Sequence, residues 1–165
     1  MSQKYAKYLI VPMFMLCGFG ARGQMMPNPY GPGITVDDAK KVAALAIAEA
    51  RKNKWNEIVA IVDSGGALVY YEKMDNAQTG SEKVAIAKAS SATHFKRPTK
   101  AFEDMVTAGG AGLRILRLEG AVPLEGGLPL LIDGKIVGGI GVSGDTGHND
   151  GVCAKAGADA LARPQ

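Results

Sequence analysis

The chain has 165 residues, 47% of them hydrophobic and 21% charged, with 22 glycines. That length and composition suit one globular domain able to bury a substantial core. The formal charge is +3, but three of the 19 basic residues (Lys4, Lys7 and Arg22) fall in the first 23 positions. The remainder is balanced against its 16 acidic residues and lacks the basic footprint of a nucleic-acid-binding chain.

Residues 1–23 read as a secretory signal. Lys4 and Lys7 precede an apolar run from Tyr8 to Gly20, and the small residues Ala21 and Gly23 stand before Gln24. The run is short for a bilayer span, which takes roughly 20 residues. A periplasmic or secreted chain, not transmembrane once cleaved, is expected. Cleavage would leave Cys153 as the lone cysteine, read as a small buried hydrophobe.

Residues 24–34, with three prolines, read as a linker or arm. The domain is expected over 35–165. Thr35 caps a first helix, with Asp37 and Asp38 in its positive first turn and Arg51 and Lys52 in its last. Ile58 to Asp63 reads as a β-branched strand, turned by Ser64-Gly65-Gly66 into a partner from Ala67 to Met74. The alternation places Leu68, Tyr70, Glu72 and Met74 on one face. A second helix runs from Ser81 to about Phe95 and stops before Pro98. Thr99 is expected to cap a short third helix, ended by Gly109, Gly110 and Gly112.

Asp133-Gly134 then joins two apolar arms and suits a type I′ turn. Along the second arm Ile136, Gly138, Ile140 and Val142 share one face, while Val137, Gly139, Gly141 and Ser143 share the other. Such a bare face points to a closely packed helix or a flat ligand. The small-residue helix from about Asp150 to Leu161 is its expected partner, and Asp145 to Asp150 reads as a loop holding His148. Two hairpins alternating with helices argue for an α+β domain, a central antiparallel sheet flanked by helices in a profilin-like layout.

Motifs for a nucleophile elbow, a P-loop, HExxH zinc or an EF-hand are absent from the sequence. His94 closes the second helix and is followed by Lys96 and Arg97. A cation suits a helix C-terminus on structural grounds, and the same residues could supply an axial iron ligand with partners for propionates. Met74 and Tyr70 read as core or as the lining of an apolar pocket.

The stretches AIVDSGGALVYYEKMDNAQTGSEKVAIAKASSATHFKRPTK and VPLEGGLPLLIDGKIVGGIGVSG, followed by Asp150 and AGADAL, resemble the GlcG/HbpS family of haem-binding proteins. The resemblance spans Thr35 to Leu161. It implies a single profilin-like domain, homo-oligomers, and haem or another tetrapyrrole as ligand, with roles in haem sensing, storage or breakdown. His94 becomes the leading iron ligand, with Lys96 and Arg97 as propionate partners and Met74 and Tyr70 lining the pocket. Two other readings stand beside it. One is an enzyme or accessory subunit taking a small organic acid or aromatic compound in the same pocket, with Arg97, Lys88 and Glu125 supplying charge and proton transfer. The other is a structural subunit docking a partner through its glycine-rich face.

Overall fold

Asp133 and Gly134 both take positive φ, 49° and 71°, the pair of left-handed residues that a type I′ turn requires. They join β3 (Gly127–Ile132) to β4 (Lys135–Ser143). A second hairpin joins β1 (Ile58–Asp63) to β2 (Leu68–Lys73). Its β1 strand pairs with β4, giving one antiparallel sheet in the order β2-β1-β4-β3. Four α-helices accompany the sheet: α1 (Val36–Asn53), α2 (Ser81–His94), α3 (Lys100–Thr107) and α4 (Gly147–Ala158). The α+β, profilin-like expectation is met. The computed structural model describes residues 28–161, so the expected signal at 1–23 lies outside the described residues.

The sheet is covered on both faces, and the glycines decide how. On the α1 and α4 side the core holds Val59, Ile61, Ile140 and Val142. On the other side α2 lies directly on β4. A Cβ added to Gly141 would stand 2.0 Å from the Ala85 carbonyl oxygen, and one on Gly139 would stand 2.5 Å from that of Ala89. The bare face therefore serves helix packing, but its partner is α2 rather than the expected C-terminal helix. That helix, α4, uses its small residues against α1, where a Cβ on Gly157 would come 2.8 Å from the Val42 carbonyl oxygen.

Three local expectations are corrected. A β-bulge at Ile61/Val62 sets Leu68 opposite Val62 and Tyr70 opposite Ile61, so Leu68 leaves the face it was expected to share with Tyr70. Helix α4 begins at Gly147, with Thr146 capping it through its side chain, so His148 lies in a first turn instead of a loop. Thr99 precedes α3 without a side-chain cap. Its hydroxyl accepts from the Gly127 amide at 2.9 Å and ties the start of β3 to the start of α3.

The expected linker is bonded to the sheet where it is described. Ile136 donates to the Pro29 carbonyl and Gly31 donates back to the Ile136 carbonyl, both at 2.8 Å. Among the described residues no helix is long and apolar enough to cross a membrane.

Candidate functional site

Sheet order makes β3 an edge strand, and that edge stays open. Pro129 is tolerated there because no further strand requires its missing N–H. An open cleft of about 560 Å³ runs along it, within the usual range for small-molecule and cofactor sites. Its wall is apolar: Leu128, Pro129 and Leu131 of β3, Ile136 of β4, Ala158 of α4, and Pro98 and Ala101 beyond α2. The polar groups that line it are Asn28, Lys96 and Arg97.

The two cations come from the sharp exit of α2. Pro98 disfavours helix at Arg97, and Lys96 takes the left-handed conformation with φ of 54°. The Lys96 ammonium sits 4.2 Å from the centroid of the Tyr30 ring, and the Arg97 guanidinium 5.5 Å from that of Phe102. Arg97 also donates from Nε to the Phe95 carbonyl at 3.1 Å. Among the described residues neither cation makes an ion pair. Tyr30 fixes this corner by donating its hydroxyl proton to the carbonyls of Thr93 and His94, at 3.0 and 3.2 Å.

His94 is exposed and packs over the β1–β2 turn. Its Nε2 lies 3.2 Å from the Gly65 carbonyl oxygen. A carbonyl only accepts, so Nε2 carries a proton, and the tautomer that fits leaves the lone pair on Nδ1. Gly66, at φ of 88°, is required twice here, since a Cβ would stand 2.2 Å from the same Nε2. His94 precedes Lys96 and Arg97 by only two and three positions, yet it is not part of the cleft wall. His148 is exposed on α4.

Tyr70 and Met74 are not brought together with His94. Both pack against the α1 and α4 core, across the sheet from α2. The Tyr70 hydroxyl donates to Glu72 at 3.2 Å, and burial and then the Glu72 charge push its phenol above the usual range. The Met74 sulfur accepts from the Glu57 amide at 3.5 Å.

Lys88, at the middle of α2, and Arg97, past its C-terminus, line different cavities. Lys88 is 2% exposed and donates to Asp150 Oδ2 at 2.5 Å and to the Val142 carbonyl at 3.0 Å. Asp150 in turn accepts from the amides of Gly144 and Asp145, at 3.1 and 3.2 Å. This ion pair lies under a cavity of about 390 Å³, which Ser81, Ser143, Val84 and Leu124 also line. Sequence reading passed over these two serines and the role of Asp150. A signal for Ser81 existed: it stands seven residues before Lys88, two turns along one helix face. Glu125 stands beside this cavity, its side chain against Gly147 and Gly151 of α4 and its amide donating to Glu103 at 2.6 Å.

Two neighbouring groups are chemically quiet. Glu57 is fully buried and neither carboxyl oxygen finds a hydrogen-bond partner. Burial, and then the charge of Asp150, push its pKa up to about 8, so it is mainly neutral at pH 7. Cys153 is buried as expected, and burial pushes its thiol up to about 12, far from a reactive thiolate.

Comparison with known proteins places this geometry in a family. The model of the family described as haem degrading protein HbpS-like matches residues 34–159. Protein GlcG of Escherichia coli is 38% identical over 105 residues, covering 64% of this chain and 77% of GlcG. The crystal structure of HbpS superposes with a TM-score of 0.73 at 30% identity, over 87% of this chain and 99% of that one. A crystal structure of a PduOC:heme complex superposes with a TM-score of 0.71 at 28% identity, over 78% of this chain and 95% of its own.

Proposed function

The chain belongs to the HbpS-like family, and from that premise we propose that it binds haem, or a closely related tetrapyrrole, in the cleft along β3. One observation carries the reading: an apolar cleft of about 560 Å³ is bordered by two cations that have no ion-pair partner among the described residues. A flat apolar macrocycle with two carboxylates matches that combination. The wall from Leu128 to Ile136 would take the ring, and Lys96 and Arg97 would pair the propionates. The solved haem complex of a structural neighbour supports the same ligand class.

Bound haem would supply the iron chemistry; the chain's residues bind the ring, orient it and hold its carboxylates. His94 is the proposed iron ligand, a role that requires its ring to leave the Gly65 carbonyl and turn toward the cleft, whose wall it does not form in this structure. Binding is the step shared by sensing, storage and breakdown. Export rests on residues 1–23, and intact-mass measurement of the native protein should show their loss. Self-association is part of the reading and is supported by the exposed Met105, Leu113, Leu116 and Leu118 between α2 and β3. Light scattering that reports a monomer would contradict it.

Hemin titration followed at the Soret band tests the assignment. Saturable binding is expected, and His94→Ala should shift the Soret maximum and weaken binding, while His148→Ala should leave both unchanged. Saturable binding with the maximum unmoved in His94→Ala would remove His94 as ligand while leaving the haem reading in place. No saturable binding would overturn the reading itself.

A further inference from the structure

We propose that the cavity at the N-terminal end of α2, lined by Val84 and Leu124 as well as by its polar groups, is a second ligand site, separate from the cleft, that takes a small uncharged polyhydroxy compound. Its volume, about 390 Å³, falls in the range of small-molecule sites. A buried ion pair forms its floor, although such pairs are commonly no more stabilising than well-packed apolar residues.

The hydrogen-bond inventory identifies the ligand class. Lys88 uses two of its three N–H donors, on Asp150 and the Val142 carbonyl. Ser81 accepts from Ser143 at 3.1 Å and from Gln78 at 2.9 Å, which leaves its own hydroxyl proton to donate. At the rim Asp145 accepts from the Thr146 amide and the Asn149 side chain through Oδ1, leaving Oδ2 as an acceptor. Unused donors thus sit deep and an unused acceptor sits at the mouth. Hydroxyl groups both accept and donate, so a polyol answers both.

Charge argues in the same direction. Asp150 already balances Lys88, so an anion entering the cavity gains no unmatched cation and meets two carboxylates. A cation would be set against the Lys88 ammonium. Neutral ligands escape both costs.

Backbone-amide NMR on the full chain, with erythritol as probe and acetate and methylammonium as charged comparators at constant ionic strength, tests the proposal. Erythritol should give saturable shifts at Ser81, Ser143, Gly144 and Gly147, and the two ions should not. Ser81→Ala keeps the ion pair and should weaken erythritol binding at least fivefold. Lys88→Met should abolish it, but that variant can also unfold the chain, so Ser81→Ala carries the test. Non-saturating drift with erythritol, unchanged affinity in Ser81→Ala, or saturable shifts with acetate instead would each overturn the proposal. None of these results depends on whether hemin binds along β3.

Discussion

The two ends of α2 hold similar residues in opposite states. At the cavity by its N-terminal end the mid-helix Lys88 is buried, and Asp150, the Val142 carbonyl and two backbone amides complete the surrounding network. Just past its C-terminus Lys96 and Arg97 border an apolar cleft and are held without a counter-charge, by the Tyr30 and Phe102 rings and, for Arg97, the Phe95 carbonyl. One helix thus separates matched charge from unmatched charge along its length. Matched charge is a structural commitment that favours neutral ligands. Unmatched charge beside apolar surface is an offer to an amphipathic anion.

The largest effect should come from breaking the matched end. Asp150→Asn leaves the Lys88 ammonium buried without its counter-charge, and loss of one partner of a buried pair costs about 3–5 kcal/mol. Urea denaturation should show that loss, whereas Lys96→Gln at the other end should move the midpoint hardly at all. Equal effects would erase the contrast between the two ends.

Next in size is the contact that seats the helix. In Gly141→Ala the new Cβ would meet backbone atoms of Ala85 and Ala89, which cannot rotate away. Helix α2 must shift off β4, at about 1–3 kcal/mol. The same substitution at Gly134 meets nothing within 4 Å and costs only the strain of its φ of 71°. Thermal melts of the two variants compare packing with backbone strain.

A pH dependence sharpens the description of the buried end. Glu57 faces Asp150, Asp145, Lys88 and Cys153, and its pKa stands near 8 against an ordinary 4.5. A carboxyl raised in this way contributes stability that is fully present below pH 4.5 and is lost as pH rises through about 8. Stability should therefore fall between pH 5 and pH 9, and Glu57→Gln should flatten that slope. A slope identical in the variant would place the titrating group elsewhere.

Much of this arrangement is local enough to read from sequence. The Asp133-Gly134 turn, the Thr35 cap and the stop before Pro98 each depend on a few adjacent residues, and each forms as read. The glycines of β4 announced a close approach, but not which helix makes it, because α2 and α4 are both rich in small residues. The bulge that moves Leu68 depends on pairing register, which spacing alone does not reveal. Lys88 and Asp150 are 62 positions apart, and Thr99 and Gly127 are 28 apart. Their partnerships exist only after the hairpins have paired. Lys96 and Arg97 were legible as a cationic pair beside His94, while the apolar wall they border is assembled from β3, β4 and α4.

The central claim is that unmatched cations beside apolar surface select a flat ligand bearing carboxylates. Its most direct measurement is the affinity of hemin relative to its dimethyl ester, taken in the unaltered chain and in Lys96→Gln/Arg97→Gln. Two partly exposed ion pairs should favour the free acid by roughly five- to tenfold, and that ratio should fall close to one in the double variant. A ratio near one in the unaltered chain, or one that survives both substitutions, would contradict the account.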